Sequence, residues 1–186
     1  MATDERARLL SATVEYALEH GISELSLRQL AIEIGTSHRM LVYYFGSKDD
    51  LLVEVTRTVE AQQRASLQAL IADDTLDPNE QSGKMWRRLT DRAMWPQERL
   101  FFELYGQALQ GRGQTASFLD GIVDDWLGPL ADMAVRQGVP KTKARTDARL
   151  ALAVTRGLLL DLLATGDRKG VNAAMARFGE LRRESS

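Results

Sequence analysis

Strong helix formers dominate the aliphatic residues of this 186-residue chain: 27 Leu and 22 Ala stand against 10 Val and 5 Ile. Leu and Ala lose little freedom on entering a helix, and the β-branched residues that favour pleated surfaces are scarce. An all-α fold of about nine helices is the expectation. The length suits one compact domain, or a small module joined to a larger one, and can bury a substantial core. No cysteine occurs, which excludes disulfides, thiolate nucleophiles, iron–sulfur clusters and cysteine zinc sites. Only His20 and His38 supply imidazoles.

No apolar run reaches the ~20 residues of a bilayer span, and the longest, 157–164, is interrupted by Asp161. The amino terminus is charged and lacks the apolar core of a signal peptide, so a cytoplasmic protein without membrane contact is expected. A net charge of −2, evenly spread, offers no basic coat for nucleic acid.

Periodicity and capping residues divide the chain. Ala7, Leu10, Val14, Ala17 and Leu18 recur at spacings of three and four, which predicts a helix from Asp4 to His20 with Gly21 as its stop. Ser26 and Gln29 form a capping box that opens a short helix at Leu27, and Gly35 allows a sharp turn after Ile34. Thr36-Ser37 caps a third helix from about His38 to Tyr44, ended by Phe45-Gly46. Ser47-Lys48-Asp49-Asp50 starts a fourth, carried by Leu51, Leu52, Val55 and Val59. Residues 73–83 read as a loop, with the next helix starting near Pro78. Further helices are expected from Pro96 to Gln110, from about Ser117 to Gln137 with Pro129 inside, from Ala144 to Thr165, and from Gly166-Asp167 to about Arg183.

Two short helices joined at Gly35, with one helix before them and a long one after, match a helix-turn-helix unit packed by Leu10, Val14, Leu30, Ile34, Leu41 and Phe45. Such a unit offers the start of its second short helix to the major groove. The exposed side chains there are His38, Arg39 and Met40: Arg39 suits the two acceptors of guanine, His38 a base edge, Met40 a thymine methyl. Thr36, Ser37, Tyr43, Tyr44 and Lys48 flank them with hydroxyls and an ammonium suited to phosphate oxygens.

The stretch 25–52, LSLRQLAIEIGTSHRMLVYYFGSKDDLL, resembles the signature of the tetracycline-repressor-like (TetR) family of bacterial transcription regulators. The resemblance rests on the Ser-capped helix, the Ala31 to Gly35 turn, Ser37 at the start of the next helix, and Tyr44-Phe45-x-Ser-Lys ahead of a Leu-rich helix. It implies a helix-turn-helix DNA-binding domain at 1–47 and a helical ligand-binding and dimerisation domain at 48–186. It implies a homodimer on a pseudo-palindromic double-stranded DNA operator, acting as a ligand-responsive regulator, in the first instance a repressor released by a small-molecule effector. The implied DNA contacts are Ser26, Arg28, Thr36, Ser37, His38, Arg39, Met40, Tyr43, Tyr44 and Lys48. Family members commonly carry tyrosine where this chain has Val42, which removes a hydroxyl from that helix. Residues 1–50 also hold five basic against eight acidic side chains, so binding without sequence readout should be weak.

Seven of the twelve aromatic residues fall between Lys84 and Trp126. Aromatics at helical spacing usually form core. Under the resemblance, Trp86, Trp95, Phe102, Tyr105, Phe118 and Trp126 become candidates for an effector pocket, with Glu103 and Arg156 as groups that orient a polar ligand atom. Val154, Gly157, Leu158, Asp161 and Leu162, with Ala173, Ala174, Arg177 and Phe178, form stripes with small residues. Either packing inside the chain or, as the resemblance implies, a helix bundle across a dimer axis would bury them.

Enzyme chemistry finds little footing. No Gly-rich phosphate loop, metal-spaced cluster or Gly-x-Ser-x-Gly occurs, and neither catalysis, a metal nor a cofactor is expected. The competing reading is a helical protein-interaction module that never touches DNA, supported by the acidic balance of the first fifty residues.

Overall fold

A computed structural model describes residues 2–20, 25–73, 75–111 and 115–184. Among them are nine α-helices and two short 3₁₀ segments, with no strand: α1 (Ala2–His20), α2 (Leu27–Glu33), α3 (His38–Phe45), α4 (Lys48–Ala72), α5 (Pro78–Leu89), a 3₁₀ turn (Arg92–Met94), α6 (Trp95–Leu109), a second 3₁₀ turn (Thr115–Leu119), α7 (Asp124–Arg136), α8 (Lys141–Thr165) and α9 (Arg168–Glu184). The all-α expectation holds. The expectation that Gly21 stops α1 lies outside the described residues.

Local chemistry accounts for the starts. The Ser26 hydroxyl accepts from the Gln29 amide while the Gln29 side chain accepts from the Ser26 amide, so α2 opens on the expected capping box. Ser37 caps α3 by accepting from Met40. Ser47 and Asp50 reciprocate in the same way at α4. At α5, Asp77 caps, Pro78 stands in the first turn and Glu80 closes the box; the helix starts at Pro78 as expected and so takes in residues 78–83 of the stretch 73–83.

Two expectations need correction. The helix foreseen from Ser117 to Gln137 is broken: a 3₁₀ turn ends at Leu119, Gly121 takes φ +75, and α7 starts only at Asp124. Helical periodicity in a sequence does not reveal a single left-handed glycine of this kind. In α1 the buried stripe is Leu9, Thr13, Val14 and Ala17, with Ala7 exposed and Leu10 half-buried. Thr13 can sit inside because its hydroxyl donates to the Leu9 carbonyl at 2.8 Å, which satisfies its polar group within the helix.

The chain packs as two compact units. One comprises residues 1–62 and 93–120, the other 63–92 and 121–186. In the first, α2 packs on α3, and α6 on α1 and the second 3₁₀ turn; Leu9, Leu30, Ala31, Leu41, Phe45, Leu51, Val55, Phe101, Leu104 and Phe118 are buried. In the second, α8 packs against both α7 and α9, over Leu67, Trp126, Leu127, Ala148, Leu159, Leu162 and Val171. Packing thus divides the chain elsewhere than the 47/48 boundary that the family resemblance implies.

Leu41 is fully buried in a helix of only eight residues. Leu41→Ala is expected to destabilise the fold by about 2–5 kcal/mol, read as a lowered urea midpoint of helical circular dichroism. A loss well under 1 kcal/mol would mean that Leu41 is not part of the support for α3.

Candidate functional site

The turn between α2 and α3 is made by Gly35, whose φ of +69 suits a residue without Cβ. Gly35 donates to the Ile32 carbonyl and Thr36 to the Ala31 carbonyl at 2.8 Å, which ends α2 and redirects the chain. Ser37 then caps α3, and Gly46, at φ +78, closes it. Within α3, Leu41 and Phe45 point inward. His38, Arg39, Val42 and Tyr43 are exposed, Tyr43 to 74%. At 100° per residue these four share one side of the helix, bordered beyond Tyr43 by the half-buried Met40 and then Tyr44.

The remaining residues matched to DNA contacts border this face in sequence. Ser26 and Arg28 are exposed at the start of α2, Thr36 is half-buried in the turn, and Lys48 half-buried in the first turn of α4. The hydroxyls of Ser26 and Ser37 are engaged in capping. Val42, singled out in the sequence only for what it lacks, stands on the exposed face one turn beyond His38.

Sequence reading counted Arg6 merely as a charge. In the structure it holds the end of α3: its guanidinium pairs with Glu54 of α4, its Nε donates to the Tyr44 carbonyl at 3.4 Å, and its plane lies over the Phe45 ring at 5.0 Å. One side chain thus ties α1, α3 and α4 together. Among the described residues, neighbouring Arg8 bonds only locally, to Glu5 on the same helix.

The second unit contains a cavity of about 630 Å³ walled by residues of α4, α5, α7, α8 and α9, within the size range of small-molecule sites, roughly 300–1,000 Å³. Its apolar wall includes Trp86, Trp126, Met133, Leu152, Met175 and Phe178. Trp86 Nε1 donates to Asn172 Oδ1 at 2.8 Å, and Gln137 Nε2 to Ser82 Oγ at 2.7 Å.

Of the residues considered for an effector pocket, Trp86 and Trp126 line this cavity. Trp95, Phe102, Glu103, Tyr105 and Phe118 belong to the other unit. There Phe101 gathers Phe102, Tyr105 and Phe118 at ring distances of 5.2–5.8 Å, the Arg99 guanidinium lies 5.7 Å from the Trp95 ring, and Glu103 accepts from Gln107. Arg156 donates to the Ile122 carbonyl at 2.7 Å and is not on the cavity wall. The wall residues Met133, Leu152, Asn172 and Met175 carried no signal in the sequence, because neutral side chains at helical spacing read as ordinary core.

On α8, Gly157 and Asp161 are exposed, Val154 and Leu158 half-buried, and Leu162 is buried at 1% in the unit's own core. On α9, Ala173, Ala174 and Arg177 are exposed while Phe178 is half-buried on the cavity wall. Arg177 hydrogen-bonds Glu180 and Glu184, and these bonds, that to Glu180 foremost, push its pKa up. Leu150 and Leu160, over 50% exposed, and Leu181, at 46%, are outward leucines that the sequence pattern did not single out.

Residues 9–55 match the family described as bacterial regulatory proteins, tetR family. No curated protein matches the chain. Among solved structures, a TetR transcriptional regulator from Legionella pneumophila is 17% identical, with a TM-score of 0.69 over 92% of this chain and 95% of that one. Multidrug binding protein EbrR, complexed with imidazole, is 22% identical, with a TM-score of 0.62 over 94% and 89%. BioQ with its double-stranded DNA operator is 20% identical, with a TM-score of 0.54 over 92% and 95%. The resemblance read from residues 25–52 is thereby borne out: residues 9–55 match the family model, and the chain shares the fold of these solved structures.

The Arg6 clamp leads to a stability prediction. Arg6→Ala is expected to cost about 1 kcal/mol through loss of the ring contact and the partly exposed pair, whereas Arg8→Ala leaves the thermal midpoint unchanged. Equal midpoints for the two variants would remove Arg6 from the support of α3.

Proposed function

From the TetR-family match of its amino-terminal segment and the fold it shares with regulators of that family, we infer that this chain is a transcriptional repressor. In this reading it binds a pseudo-palindromic operator as a homodimer and releases it when a small molecule occupies the second unit. The observation that carries the reading is the sidedness of α3: His38, Arg39, Val42 and Tyr43 face outward while Leu41 and Phe45 face inward. A helix held from behind, with donors and an apolar side chain in front, is what major-groove readout requires.

The roles follow from chemistry. Arg39 reads guanine with two parallel hydrogen bonds, His38 a base edge, and Val42 a thymine methyl, with Met40 beside the groove. Ser26, Arg28, Thr36, Ser37, Tyr43, Tyr44 and Lys48 serve the phosphates, the two capping serines through the backbone amides that they orient. Residues 1–47 are the reader; 48–186 carry the ligand and the dimer contact. The exposed faces of α8 and α9, with Leu150, Gly157, Leu160 and Asp161 on one and Ala173, Ala174, Arg177 and Leu181 on the other, support a second copy as the partner that covers those leucines. The acidic balance of residues 1–50 favours one other reading, a protein-binding module, and DNA affinity separates the two.

The test is fluorescence anisotropy on a duplex recovered by selection from genomic fragments. Wild type is expected to bind tightly, with affinity falling steeply as salt rises. Arg39→Ala is expected to weaken binding about 10–150-fold and to relax base preference at one position; Lys48→Gln should weaken all sequences alike. Selection that enriches no sequence, or an Arg39→Ala variant that binds as wild type, would overturn the reading. In sedimentation, Leu150→Asp/Leu160→Asp should be monomeric where wild type is dimeric; an unchanged dimer would move the interface elsewhere.

A further inference from the structure

We propose that the cavity of the second unit selects an amphipathic organic anion: an apolar body, aromatic or a medium-length chain, ended by a carboxylate or sulfonate. This rests on the ligand-responsive reading above and specifies the chemistry of its effector.

The wall provides for the body. Trp86, Trp126, Met85, Met133, Leu152 and Phe178 present rings, thioethers and branched aliphatics, which remove hydrocarbon from water. Three methionines, Met85, Met133 and Met175, line it and give an adaptable surface for a body of variable shape. Four of the neutral polar side chains on the wall are spent on one another, Trp86 with Asn172 and Gln137 with Ser82. A polyhydroxylated molecule such as a sugar would meet few of the partners it gives up on leaving water.

The charges on the wall choose the head group. Arg87, Arg182 and Arg183 stand against a single acid, Glu180, and the Glu180 carboxylate already accepts from Arg177 at 2.9 Å. Arg87 and Arg183 are exposed and line the cavity where it meets solvent, while the Arg182 guanidinium lies over the Phe178 ring at 5.8 Å. Guanidinium groups beside a low-dielectric wall repel a cation and bind a carboxylate or sulfonate through paired, charge-assisted hydrogen bonds. The body therefore lies against the tryptophans and methionines, and the head group toward the last turn of α9.

Two probes of nearly the same body isolate the head group: 8-anilinonaphthalene-1-sulfonate, an anion, and N-phenyl-1-naphthylamine, which lacks the sulfonate. Binding is followed by probe emission and by quenching of Trp86 and Trp126. The anion is expected to bind about tenfold or more tighter than the neutral probe, to be displaced by decanoate and not by decyltrimethylammonium. Arg182→Gln/Arg183→Gln should abolish that preference while leaving the neutral probe unchanged. Met133→Trp, which fills the cavity, should weaken both probes while circular dichroism stays that of wild type. Equal affinity for the two probes, displacement by the cation, or anion binding untouched by either variant would overturn the proposal. DNA anisotropy in the same samples separates the parent reading. An anion that binds as described yet leaves operator affinity unchanged sinks ligand-controlled release alone; a neutral or cationic compound that fills the cavity and releases DNA sinks the anion proposal alone.

Discussion

An eight-residue helix does not hold itself together in water, because nucleation costs more than two turns of hydrogen bonds return. Everything proposed for α3 (His38–Phe45) therefore depends on what its inward side chains find behind them. Leu41 and Phe45, one turn apart, are buried; Ser37 caps the front end, Gly46 closes the back, and Arg6 reaches across to the Tyr44 carbonyl and the Phe45 ring. With that side fixed, the outward side, where His38, Arg39, Val42 and Tyr43 are exposed, is left to carry chemistry. The donors that face outward are set by the leucine and phenylalanine that face inward.

The second unit shows the same division of labour on a larger scale. Helix α9 turns Met175, Phe178 and Arg182 toward the cavity and Ala173, Arg177 and Leu181 away from it. Helix α8 places Ala148, Leu152 and Thr155 on the cavity wall and Leu150, Gly157 and Leu160 outside. Each helix thus has one face suited to a small molecule and another suited to a helix of a second copy. In the proposed dimer, a ligand that presses on one face would act on the element that presents the other.

Most of the amino-terminal segment was legible because its local chemistry is unambiguous. Ser26 with Gln29, Gly35, Ser37 and Ser47 with Asp50 each have one strongly preferred backbone role, and the structure uses each in that role. What could not be read was whatever depends on a long-range partner. Arg6 is an unremarkable charge until Glu54 and Phe45 stand beside it. The aromatic run 86–126 showed the same limit: its period identified helices, yet Trp86 and Trp126 line a cavity while Phe101, Phe102, Tyr105 and Phe118 form a ring cluster in the other unit. Side-chain type cannot distinguish a wall from a core when both are apolar.

The central claim, that the exposed face of α3 enters the major groove in two symmetry-related copies, is tested most directly by a hydroxyl-radical footprint of the protein on its selected duplex. The account predicts two protected segments on one face of the DNA, centred about 34–36 Å apart or a multiple of that, with guanine methylation interference at the position lost in Arg39→Ala. A single continuous protection, or two segments that persist unchanged in that variant, would contradict it.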